Sequence, residues 1–109
     1  MTCVRSDVYR LRAPKDAIGH EQRCERFAIL LQSDRLAHIS TMPAAPTSTS
    51  AAPSIFRPEI ELDGTTTRVM VEQTVAIDPI RLGDFAGRLS RHELDKVSKA
   101  LRLVFALSP

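Results

Sequence analysis

The octet Gly19-His20-Glu21-Gln22-Arg23-Cys24-Glu25-Arg26 concentrates the groups best able to do chemistry, and it runs straight into the apolar stretch Phe27-Ala28-Ile29-Leu30-Leu31. A glycine lets the backbone turn tightly, and a buried strand behind it fixes where the loop ends. Glu21 and Arg26, five residues apart, could serve as a base and an oxyanion clamp. The competing reading is an ordinary surface ion pair, which is common and contributes little. Cys24 stands between Arg23 and Arg26, a setting of the kind that activates thiols, although an incidental loop thiol is the plainer account. His20, His38 and His92 are scattered, and no H-x-x-x-H, C-x-x-C or glycine-rich phosphate loop accompanies them. Neither a metal nor a cofactor is expected.

The elements that must hold this octet can be read from hydrophobic period. Asp7 to Arg12 alternates loosely and predicts a first strand with Tyr9 and Leu11 on one face. The polar loop of residues 13 to 26 follows, and loops of that length in a compact domain are more often functional than filler. Phe27 to Leu31 is short and continuously apolar, which predicts a strand buried on both faces. Residues 41 to 54 consist almost wholly of small residues and proline. Their composition reads as linker or disordered loop, with part of it extended, because a long linker would split the core of so short a chain.

The cleanest alternation comes next. Phe56, Pro58, Ile60 and Leu62 oppose Arg57, Glu59 and Glu61, and Asp63-Gly64 marks a turn. Pro58 argues for an edge strand or a strand start. Val69, Val71, Gln73, Val75 and Ile77 then share a face, with Gln73 a polar group in need of partners, until Asp78-Pro79 breaks the run. A short strand is expected around Phe85 to Leu89. Ser90-Arg91-His92-Glu93 is a capping box, and Leu94, Val97, Leu101, Val104 and Phe105 recur at helical spacing to an end near Leu107. Five or six strands and one C-terminal helix give a mainly antiparallel β fold with α. The economical form is a small, strongly curved barrel covered by that helix.

Length and charge agree with this. At 109 residues and 12.1 kDa the chain suits a single domain spanning residues 1–109. No apolar run approaches the roughly 20 residues of a membrane span, and the N-terminus lacks the apolar core of a signal peptide. Neither a membrane nor a secretory protein is therefore expected. Cys3 and Cys24 alone can neither build a disulfide framework nor complete a zinc site, so a reduced, cytoplasmic setting is the default. The net charge of +2 is concentrated: residues 1 to 26 hold six basic groups against four acidic ones, and the remainder balances. That asymmetry is compatible with a nucleic acid partner and equally with a mixed solvated surface.

Several of these residues, taken in order, resemble the signature of the MazF/PemK (Kid) family of bacterial toxin endoribonucleases. They are Asp7-Val8-Tyr9, Gly19-His20-Glu21-Gln22, Arg26, Pro46-Thr47-Ser48, Glu72-Gln73 with Ile77-Asp78, and the helix start at Leu89-Ser90. The likeness covers nearly the whole chain. It departs from the family pattern at Ser6, Cys24 and Phe27, and at Val75, where the family commonly carries an arginine.

The resemblance implies an SH3-like barrel of the CcdB/PemK/MazF toxin type with a C-terminal helix. It implies a sequence-selective endoribonuclease toxin that cleaves single-stranded RNA without a metal ion, by attack of the 2′-OH on the adjacent phosphate. Arg26 would present a planar donor fork to the phosphate oxygens, Thr47 would donate its hydroxyl, and Glu21 would be the base or position one. His20, Gln22, Arg23, Ser48 and Gln73 would meet the RNA. A homodimer and a cognate antitoxin with an acidic, partly disordered segment are implied as partners, and no membrane. The competing expectation is a CcdB-like toxin, which shares the fold but poisons DNA gyrase by binding and cleaves nothing.

Overall fold

Consecutive apolar residues force β2 (Phe27–Leu30) toward the middle of a sheet, because both of its faces need cover. A computed structural model, which describes residues 5–12, 26–33 and 40–107, has it there. β2 lies antiparallel between β1 (Asp7–Leu11), with Val8 opposite Ile29, and β3 (Met42–Ser48), with Ile29 opposite Ala45. Beyond these lie β4 (Glu59–Leu62), β5 (Thr65–Val69), β6 (Val75–Ile77) and β7 (Leu82–Arg88). The strand order is β4-β5-β3-β2-β1-β7, with β6 paired to β3 beside β5. The result is an antiparallel half-barrel closed on one side by a single helix, α1 (Arg91–Val104).

Alternation along the strands sorts the apolar residues into two layers. Val8, Ile29, Ala45, Ile60, Val69 and Val71 meet Val97 and Ala100 of the helix. Tyr9, Ala28, Leu30, Met42, Ala44, Ile77 and Leu82 form the layer on the opposite face. Asp7 is buried at the start of β1, where Arg88, directly opposite on β7, donates to it from Nε at 2.7 Å. Arg5 ties the end of β2 to the helix, with Nη1 donating to the Leu31 carbonyl and Nη2 to Ser98 Oγ, each at 3.3 Å.

Two stretches differ from their sequence expectation. The extended part expected within the small-residue segment is Met42 to Ser48, and it departs from the linker reading in being a central strand, with only the residues after it lacking regular structure. Ala44 and Ala45 are small because neighbours press on both faces. The prolines lack donors but still supply acceptors to neighbouring segments. The Pro43 carbonyl accepts from Leu31 just past the end of β2, and the Pro46 carbonyl accepts from Met70 between β5 and β6.

The run from Val69 to Ile77 is likewise not one strand. A 3-10 turn at Val71–Gln73 interrupts it, and the register on β3 advances by three residues between β5 and β6. An odd insertion exchanges the faces. Val69 and Val71 therefore sit in the helix-side layer while Ile77 joins the other, and Gln73 is exposed rather than in need of buried partners. Val75 is 56% exposed.

The local signals held. Asp63 and Gly64 form a two-residue hairpin turn with φ of 53° and 82°, both in the left-handed region that such turns require. The capping box is complete: Glu93 N–H donates to Ser90 Oγ at 3.1 Å and Ser90 N–H to Glu93 Oε1 at 2.9 Å. The helix ends at Val104 instead of near Leu107. Its reversal at Ala106, with φ of 55°, lets Leu107 N–H reach back to the Arg102 carbonyl at 2.9 Å.

Glu93 also does something the box does not require. Its Oε2 accepts from the backbone N–H of Glu61 at 2.9 Å and so fastens the helix start to edge strand β4. Partial burial raises the Glu93 pKa, but hydrogen bonds from Ser90 and Glu61 and the nearby Lys96 charge outweigh that, and the net shift is downward. A depressed carboxylate pKa contributes stability above the ordinary value of 4.5, and that contribution is lost as pH falls through the folded value. Glu93→Ala should therefore cost roughly 1 kcal/mol at neutral pH, in the range of a lost helix cap. Urea unfolding should show the gap between variant and parent closing at acid pH; an equal gap at pH 7 and pH 3 would refute this linkage.

Candidate functional site

Glu21 and the residues His20, Gln22 and Arg23 lie outside the described residues, as do Cys24 and His38. What can be described is the frame to which that octet attaches. Leu11 N–H donates to the Arg26 carbonyl at 2.8 Å, and Arg12 N–H donates to the Arg81 carbonyl at 2.8 Å. The ends of segment 13–25 are thus held side by side by backbone bonds that do not depend on any side chain of the loop. Arg26 is exposed, one residue before β2.

Thr47 follows Pro46, the partner of Ala28, so it reaches the same end of the β2–β3 pair as Arg26. Its orientation is the less expected part. Thr47 pairs with Val69 of the helix-side layer and is 8% exposed, whereas Ser48, paired with Arg68, belongs to the other face. Counting back along β2 by the same alternation, Arg26 falls on the Ser48 face. Arg26 and Thr47 therefore share one end of the sheet but start from opposite faces. Ser48 Oγ makes a local contact to Ser50 Oγ at 3.2 Å and accepts from Ser50 N–H at 3.3 Å.

Gln73 ends the 3-10 turn, exposed, with its N–H donating to the Met70 carbonyl at 2.9 Å. Met70 N–H in turn donates to the Pro46 carbonyl at 2.8 Å, which pins the turn beside Thr47. Arg26 and Ser48 thus share one face at the end of β3, Thr47 lies beside them on the helix-side face, and Gln73 ends the turn at which β3 exchanges β6 for β5 as its partner.

Sequence reasoning missed three cations here. Arg10, directly opposite Phe27, lies over its ring at 5.2 Å, next to Arg26. Arg68 pairs with Glu59 across the β4–β5 hairpin at 2.7 Å and stands opposite Ser48. Arg57 donates to Glu72 of the turn, from Nε at 2.8 Å. Cross-strand register was the missing information in each case. Tyr9, by contrast, is buried with its ring edge-on to Phe85 at 5.6 Å and offers no face for base stacking.

Among the described residues no group of three or more His, Cys, Asp or Glu side chains could hold a metal. No helix of the described residues is long and apolar enough to cross a membrane. An open groove of about 480 Å³ lies between the β4–β5 hairpin and the helix start, lined by Glu59, Glu61, His92, Glu93 and Lys96 among others. None of the described candidate residues lines it. With both signs of charge present, it lacks the uniformly basic character expected of a phosphate path.

Comparisons with known proteins point in one direction. A family model described as PemK-like, MazF-like toxin of type II toxin-antitoxin system matches residues 4–105. A candidate toxin of Mycobacterium tuberculosis is 38% identical over 99 residues, covering 90% of this chain and 92% of that protein. Two solved structures from mycobacterial species are similar in fold. An endoribonuclease in complex with its cognate antitoxin has a TM-score of 0.78 at 17% identity, covering 98% of each chain. An endoribonuclease alone has a TM-score of 0.79 at 16% identity, covering 100% of this chain and 96% of that one. The MazE-MazF complex of Deinococcus radiodurans has a TM-score of 0.78 at 15% identity, covering 99% of each.

Proposed function

The chain belongs to the PemK-like, MazF-like toxins of type II toxin–antitoxin systems, and from that premise we propose that it is an endoribonuclease that cuts single-stranded RNA and so arrests translation and growth. The observation that carries this reading is the placement of Arg26 and Ser48 on one face at the end of the β2–β3 pair, with Thr47 beside them on the other face and the backbone anchors of the octet segment next to them. Similar folds described as endoribonucleases support it.

In this mechanism the 2′-OH gives its proton to Glu21 and attacks the adjacent phosphorus. The bond from phosphorus to the 5′-oxygen breaks, and a proton returns to the departing oxygen. The products are a 2′,3′-cyclic phosphate and a free 5′-OH. Arg26 stabilises the charge that builds on the non-bridging oxygens, where a planar fork outperforms a point charge. Thr47 donates a further hydrogen bond. His20, Gln22, Arg23, Ser48 and Gln73 select the sequence. Dependence on the 2′-OH confines the reaction to RNA.

A second copy of the chain is the natural cover for apolar residues left bare. Leu103, Phe105 and Leu107 at the helix end are 52%, 53% and 59% exposed, and Phe85 on edge strand β7 is 55% exposed. An antitoxin with an acidic, flexible segment would be drawn to the cations of the N-terminal quarter. The reaction setting is the cytoplasm, where both RNA and antitoxin are made.

Incubating the protein with a long RNA in EDTA should yield fragments with 5′-OH and 2′,3′-cyclic phosphate ends, while DNA of the same sequence stays whole. Sedimentation of the same preparation should give the mass of two chains. Intact RNA would sink the endoribonuclease reading, and a single-chain mass at micromolar concentration would sink the dimer.

A further inference from the structure

Arg57 is a cation already committed to a partner. Its Nε and Nη2 both donate to Glu72 Oε2, at 2.8 and 2.7 Å, and its Nη1 donates to the Ala52 carbonyl at 3.1 Å. The guanidinium also lies over the Phe56 ring at 5.6 Å, and Phe56 packs against the helix-side core. Ring, carboxylate and carbonyl thus hold it on three sides, with only 22% of its side chain exposed. A group held this way is poorly placed to meet phosphate, in contrast to the exposed Arg26.

What the contact joins gives it a role. Ala52 and Arg57 belong to the segment that leaves β3 directly after Thr47 and Ser48. Glu72 is the middle residue of the 3-10 turn that carries Gln73 and is pinned to Pro46 through Met70. Thr74 closes the turn by donating from Oγ1 to the Val71 carbonyl at 2.7 Å. The ion pair therefore bridges two segments that flank the end of β3 and are far apart in sequence. Its geometry is poor for stability alone. Both donors converge on one oxygen, and Glu72 Oε1 is buried without a hydrogen-bond partner. A buried acceptor left unmet is costly, and half-buried ion pairs are weak stabilisers. Their best-attested use is to specify one arrangement.

We propose that Arg57 and Glu72 are a positioning pair for RNA recognition, holding the segment after Ser48 and the Gln73 turn at a fixed separation, an inference that rests on the endoribonuclease reading. The pair also masks a carboxylate. Without Arg57, Glu72 would stand as a bare negative charge one residue from Gln73, which the proposed reading has meeting the RNA. Geometry and charge can be separated, because removing both charges together restores neutrality but not the bridge.

The test uses the full chain with Arg57→Leu, Arg57→Lys, Glu72→Gln and the double variant Arg57→Leu/Glu72→Gln. Arg57→Leu should raise KM for a cleavable RNA on the order of tenfold, the scale of coupling between contacting groups. It should leave kcat within about twofold of the parent and broaden the set of sequences cut. Amide exchange in residues 49–57 and 71–73 should speed up, while exchange in α1 stays as in the parent. The double variant should remain broad in sequence choice, and Arg57→Lys should recover part of the selectivity, since one ammonium cannot reach Glu72 and Ala52 together. Unchanged KM and cleavage pattern in Arg57→Leu, beside an active parent, would overturn the pair alone. So would full recovery in the double variant, which would leave charge masking as the whole effect. Absence of cleavage by the parent would instead remove the endoribonuclease reading, and the RNA role of the pair with it.

Discussion

Arg26→Ala should lower RNA cleavage by roughly 10²- to 10³-fold, the loss found when one preorganised transition-state donor is removed. The fold should survive. The Arg26 side chain is exposed, and what it supplies to the framework is its backbone carbonyl, which still accepts from Leu11 after the substitution. RNA binding should weaken less than turnover if the protein's other cations meet the backbone as proposed. Arg57 is excluded from that group by its bond to Glu72. Arg26→Lys should restore little, since an ammonium cannot match two phosphate oxygens in a plane. Thr47→Ala should show a smaller loss and needs a stability control, because that side chain is buried. Single-turnover cleavage measured beside RNA binding separates the outcomes. Equal losses in both would make Arg26 an anchor instead of a catalyst. Cleavage at the parent rate with growth inhibition intact would transfer the toxin to the class that poisons a protein target.

Ile29→Ala should be the most damaging of the single core substitutions near the site, costing about 2–5 kcal/mol. Ile29 is fully buried, stands opposite both Val8 and Ala45, and belongs to the layer under the helix. Truncation leaves a cavity at the place where three strands and the helix layer meet, and the rigid sheet can collapse into it only in part. In a domain of this size the melting temperature should fall by on the order of 10 °C or more. Activity at low temperature should persist, because β2 still delivers Arg26 to the same ladder position. A loss below 1 kcal/mol would mean that the strand is not the shared wall of both apolar layers. Denaturant unfolding with an unchanged slope would confirm that stability alone had moved.

Much of the architecture was legible because its causes are local. The Ser90 to Glu93 capping box, the Asp63-Gly64 turn and the unbroken apolar run of β2 depend on dihedral preferences and near-neighbour hydrogen bonds, which a short stretch of sequence carries whole. Pro58 directly precedes β4, an edge strand, as a residue without a donor at a strand start should. Arg26 is singled out by the family resemblance, and the apolar run after it places it one residue before β2.

Other features have causes that exist only once strands are paired. Met42 to Ser48 is rich in alanine and proline, a composition that signals a linker. It becomes a central strand because β2, β5 and β6 supply its hydrogen bonds and leave room only for small side chains. The break at Val71–Gln73 is invisible in a run of clean alternation. It arises because β5 and β6 both pair with β3 at registers three residues apart, which exchanges the faces and sets Glu72 and Gln73 in a turn beside β3. The bridge from Arg57 to Glu72 and the bond from Glu61 to Glu93 join residues 15 and 32 positions apart. The sequence by itself determined which segments would turn, cap or be buried, because those choices minimise local strain and apolar exposure. Only the tertiary structure decided which polar groups would face one another, because that follows from register, and register is a property of pairs of strands.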